Sequence, residues 1–125
     1  VDKKWTKEGT VTRIDRGELT KLLAPLATSA FAMIEAPFTN PRMFQSTLSN
    51  HRSHAEITSV LDDLGILYQV ITPHTWQKTL LPGVKGRDEL KIASGEKALE
   101  LYPASGVDEL PDGDGLLIAH YLKNL

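Results

Sequence analysis

Between Ser29 and Pro37 the chain runs Phe31-Ala32-Met33-Ile34, almost wholly apolar, then meets Glu35 and is stopped by Pro37. A short uninterrupted apolar run of this kind suits a strand covered on both faces. A strand that needs two covers demands helices above and below, so this segment points to an α/β layer architecture. A length of 125 residues suits one domain. At that size roughly two-thirds of the unfolded surface can be buried, enough for one core without covalent staples. The chain has no cysteine, which excludes disulfides and thiolate metal sites and suits a reducing, cytoplasmic compartment.

The neighbouring segments extend the pattern. Thr10 to Ile14 alternates with β-branched residues, a modest strand signal. Asp15 with Glu18 three residues later reads as a helix start, followed by Leu19, Leu22, Leu23 and Leu26 at helical spacing until Pro25 intervenes. Met43 to Leu64 reads as a long helix with Phe44, Thr47 or Leu48, His51, Ala55, Val60 or Ile57, Leu61 and Leu64 on one broad face. Asp62 and Asp63 oppose its dipole, and Gly65 ends it. Ile66 to Ile71 is a second apolar strand; Thr75 to Leu80 and Arg87 to Leu101 are helices; Pro103 to Gly113 is a loop; Asp114 to about Leu122 is the last helix. Strands joined through helices imply right-handed parallel crossovers. Three strands are few for such a sheet, so strands pair across a dimer or an N-terminal portion is missing.

Charge is balanced overall, at −2, but unevenly placed. Arg42, His51, Arg52 and His54 share a stretch with no carboxylate between Glu35 and Glu56. Lys78, Lys85, Arg87 and Lys91 form a second basic group, and Asp108, Glu109, Asp112 and Asp114 an acidic one. A cleft with basic walls and an acidic floor fits this distribution; so does ordinary surface scatter. Nothing near the N-terminus resembles a signal peptide, and no run has the length of a membrane span.

Glu35, at the end of an apolar strand, stands where α/β sheets place ligands. A carboxylate there must hydrogen-bond, pair with a cation or bind a metal; a strand-end ion pair is the plainer alternative. Asp112 and Asp114 flank Gly113 ahead of an apolar helix. They serve either as caps or as oxygen ligands for a hard cation. His51 and His54, three apart, form a weak zinc signal without a third ligand. His120 can stand near the acids as a proton-transfer neighbour, or simply pack. Gly83, Lys85 and Gly86 lack the spacing of a phosphate loop. Trp5 and Trp76 read as packing anchors before base-stacking platforms, with Trp76 beside Lys78 the better of the two for a nucleic-acid edge.

Four segments together resemble the RuvC-like Holliday-junction resolvases of the ribonuclease H-like superfamily, particularly phage and prophage forms. They are Phe31 to Glu35, Asn40 to His54, Val70 to Lys78 and Asp112 to Tyr121, within residues 28–122. The resemblance implies a single ribonuclease H-like domain over 1–125, truncated at its N-terminal part, with mainly parallel central strands flanked by helices. It implies an endonuclease hydrolysing phosphodiesters of branched DNA with Mg²⁺ or Mn²⁺, as a homodimer. Glu35 and Asp114 would be catalytic metal ligands. Asp112 would replace an acid found where Pro111 stands, ahead of Asp108 and Glu109 as substitutes. Arg42, Arg52, Lys78 and Lys85 would contact DNA.

The chain departs from that family at its start: the family's first strand carries a Gly-x-Asp motif with no counterpart here, since neither Asp2 nor Asp15 lies in such a strand. A two-metal site without that acid loses a bridging ligand. The alternative is therefore a non-catalytic DNA-binding or assembly protein on the same scaffold. A third option, a metabolite enzyme, requires a deep apolar pocket.

Overall fold

Capping sets the first helix. The Asp15 carboxylate accepts the Glu18 backbone N–H at 3.1 Å and starts helix α1, Arg16–Leu23. Pro25 then tightens the chain into a 3₁₀ turn, Ala24–Leu26. The computed structural model describes residues 2–6 and 9–125, with side chains from Ile14 onward; the packing role expected of Trp5 lies outside the described residues. Ahead of α1, β1 (Asp2–Thr6) and β2 (Gly9–Arg13) pair antiparallel, Asp2 opposite Arg13 and Thr6 opposite Gly9. After α1 come β3 (Ala32–Glu35), α2 (Phe44–Leu64), β4 (Tyr68–Ile71), α3 (Pro73–Leu80), α4 (Arg87–Leu101), a 3₁₀ turn at Val107–Glu109, and α5 (Asp114–Lys123).

The α/β layer fold is overturned, and the ribonuclease H-like scaffold with it. The described strands form two separate two-stranded sheets, β1–β2 and β3–β4, and five α-helices carry most of the remaining chain. A central parallel sheet needs strands with neighbours on both sides, and no described strand has two. The apolar run at Phe31 misleads for a local reason. Phe31 itself is exposed, all four residues of β3 are half-buried, and Met33 packs against helices.

Contacts divide the chain into two compact units, one of Val1–Ala32 with Ala36–Tyr68, the other of Met33–Glu35 with Gln69–Leu125. In the first, α1 packs along α2. Arg16 reaches Ser59 Oγ at 3.1 Å and Asp63 Oδ2 at 3.3 Å, offsetting the acids that crowd the negative end of the α2 dipole. Gly65, at φ 70°, closes α2: its N–H donates to Asp62 O, and the Ile66 N–H to Leu61 O, satisfying two terminal carbonyls. Thr47 locks the preceding loop, accepting from the Asn40 N–H and donating to the Asn40 carbonyl. The broad apolar face expected of α2 is buried only near its end, at Val60 and Leu61; Phe44, Leu48, His51 and Ala55 are exposed.

The second unit holds a helical core in which Trp76, Leu117 and Ala98 are fully buried, joined by Ile71, Leu81, Val107 and Ile118. Both α3 and α4 pack on α5. Pro73 begins α3 instead of preceding it, since a first-turn proline gives up no helical hydrogen bond. The backbone of α5 approaches α4 so closely that a Cβ on Gly113 would collide with the Ser94 carbonyl and the Ala98 side chain.

Candidate functional site

Glu35 ends β3, and strand alternation puts it on the same face as Met33, towards the core of the second unit. Its Oε2 accepts a hydrogen bond from the Trp76 indole N–H at 2.8 Å. Asp112 and Asp114 arrive from the start of α5. Asp112 Oδ1 accepts the Asp114 backbone N–H at 3.0 Å, so Asp112 closes the turn into the helix. Buried Ser94 donates to the Lys91 carbonyl at 3.0 Å and accepts the Gly113 N–H at 3.2 Å, fastening that turn to α4.

The acids from the two distant stretches feel one another. Burial raises the Glu35 pKa above its ordinary value; the Trp76 hydrogen bond opposes this, and the charges of Asp114 and Asp112 add to it. Burial likewise raises Asp114, with the Ser94 hydroxyl lowering it, Asp112 raising it and Lys91 lowering it. Both carboxyls therefore hold a proton to higher pH than a free side chain would.

Asp114 also forms one wall of a cleft of about 380 Å³, lined in addition by Gln77, Gly86, Arg87, Leu90 and Lys91. Gly86 stands at φ 97° with the Glu89 carboxylate folded over it, so an acid of α4 covers the start of that helix. Lys78, Lys85, Arg87 and Lys91 are exposed, and none belongs to an ion pair among the described residues. A cavity of similar volume in the first unit is lined by Ile14, Asp15, Glu18, Leu19, Leu22 and Ile57.

The structure thus brings Glu35, Asp112 and Asp114 within electrostatic reach, but not as a chelate. Among the described residues no group of three or more His, Cys, Asp or Glu side chains could hold a metal ion. Electrostatic coupling extends over many ångströms, whereas a hard cation needs oxygens at about 2.0–2.6 Å. With neither the scaffold nor a chelating cluster, the reading as a metal-dependent Holliday-junction nuclease is overturned, and so is that of a DNA-binding remnant built on the same scaffold. Neither a protein-family model nor a curated protein matches the chain.

The other expected residues sit as follows. His120 Nδ1 bonds the Tyr102 hydroxyl at 2.7 Å, and its ring meets the Tyr102 ring edge-on. His51 Nε2 bonds Thr39 Oγ1 at 2.7 Å. Arg42 and Arg52 are exposed in the first unit. Asp108 and Glu109 are exposed within the 3₁₀ turn Val107–Glu109. Sequence reasoning missed Trp76 as the donor to Glu35 and Ser94 as the tie beneath Asp114. Only the rarity of a fully buried serine or tryptophan without a partner could have flagged them. No helix is long and apolar enough to cross a membrane, among the described residues.

Proposed function

We propose that the second unit binds a phosphodiester backbone, as found in nucleic acid, through Lys78, Lys85, Arg87 and Lys91. The observation carrying this reading is that four exposed cations fall within one short stretch, two of them on the cleft wall, with no carboxylate partner among the described residues. Cations left unpaired on a surface serve an anionic ligand at little desolvation cost, and phosphates are its commonest polymeric form. Glu35, Asp112 and Asp114 oppose that ligand while ionised. Their protonation, or diffuse screening by Mg²⁺ or Mn²⁺, would strengthen binding without any coordination step. Arg42 and Arg52 offer the same chemistry in the first unit.

Fluorescence anisotropy with a labelled 20-nucleotide strand and its duplex tests the reading. Affinity is expected to fall steeply with salt, with a log–log slope of about −2.7 to −3.6 for three or four phosphate contacts on the duplex. Reversing Lys78, Lys85 and Arg87 to glutamate should abolish binding. Salt-independent affinity, or an unchanged affinity in the reversal variant, defeats it.

A further inference from the structure

We infer that the free edge of β3 is a docking site for an extended peptide strand that places a lysine or arginine beside Glu35. Among the described residues β3 pairs with β4 alone, so on one edge of each strand the N–H and C=O groups have no strand partner. A two-stranded sheet is marginal by itself and gains from a third strand. Natural edges are guarded by charge, proline, a bulge or a covering element; in β3 only Glu35 carries a charge, and Ala32, Met33 and Ile34 are apolar.

Charge complementarity fixes the occupant. A cross-strand neighbour on the same face lies about 4.5–5.5 Å away. The residue opposite Glu35 therefore faces the core side of the sheet, where Asp112 and Asp114 act on Glu35 and the Trp76 indole holds its carboxylate. No cationic side chain pairs with Glu35 among the described residues. An incoming cation would pair with Glu35, on which Asp114 and Asp112 act electrostatically, while a residue opposite Met33 would be apolar, since Met33 packs against the core. Main-chain bonds give such an augmented strand its affinity, and the places opposite Glu35 and Met33 give it its choice of sequence. The docking site stands independently of the proposed phosphate binding, which uses other side chains.

The probe is a blocked heptapeptide of alternating valine and threonine with one central lysine, compared with versions carrying glutamate or proline at that place. With the full chain, the lysine peptide is expected to bind at least about tenfold more tightly than the glutamate one, a difference of ~1.4 kcal/mol. Hydrogen exchange should slow at the Met33 to Glu35 amides, and the proline peptide should fail. In Glu35→Gln, where the amide still accepts from Trp76, the preference for lysine should vanish while binding persists. Equal affinities, absence of binding, or protection elsewhere overturns the inference. So does protection of the same amides by self-association or by an oligonucleotide.

Discussion

Glu35 and Asp114 store a strain that proton binding relieves. Their pKa values are raised in the fold, so between the unfolded and folded values the native chain binds more protons than the unfolded one. Stability contributed by these two groups is therefore full below the ordinary carboxyl range and is lost as pH rises through their raised values. Glu35→Gln and Asp114→Asn should each raise the Tm at pH 7 by a few degrees and flatten the loss of stability above the carboxyl range; a lowered Tm at pH 7 would contradict this. Gly113 carries the opposite lesson: a methyl there meets Ser94 and Ala98 at once, so Gly113→Ala should cost about 1–3 kcal/mol in denaturant unfolding. In the sequence Asp112-Gly-Asp114 reads as a turn before a helix, and that much is legible. The tight approach of Gly113 to α4 depends on Ser94, nineteen residues away, and nothing in the spacing announces it.

At the scale of elements, local chemistry was readable and pairing was not. The start of α1 at Asp15, the run of α2 to Gly65 and the span of α4 follow from caps, glycine and helical periodicity, all properties of neighbouring residues. Strands form at the three expected places, as β2, β3 and β4, but not in a common central sheet, because an apolar tetrapeptide looks the same in the centre of a sheet as beside helices. The caps also make the sharper predictions. Asp15→Ala removes the acceptor for Glu18 N–H and should cost about 1 kcal/mol. Gly65→Ala forces a Cβ into left-handed backbone and should cost a similar ~1 kcal/mol. Thermal melts that leave both variants unchanged would mean α1 and the end of α2 contribute little to the cooperative fold.

On the scale of the whole molecule, burial is unequal. The second unit encloses Trp76, Leu117, Ala98 and four further core residues, whereas in the first unit only Val60, Leu61 and Ile66 are buried among the described residues. Large apolar side chains stay open there, with Leu22 at 71% and Phe44 at 67% exposure. The candidate site was legible only in part for the same reason. Acids and cations could be counted along the chain, but which of them gather is decided by the helical core of the second unit. Local opening should follow burial, because amides are protected by the apolar contacts that must break to expose them. Native-state hydrogen exchange is expected to be slowest around Trp76, Ala98 and Leu117, with opening energies approaching that of global unfolding. The first two turns of α2, where Phe44, Gln45, Leu48, Ser49 and Asn50 are exposed, should exchange at least about a hundredfold faster, ~2.7 kcal/mol less protected. Uniform protection across both stretches would show that the core of α3 to α5 governs the entire chain, and that the open apolar face of α2 costs nothing in local stability.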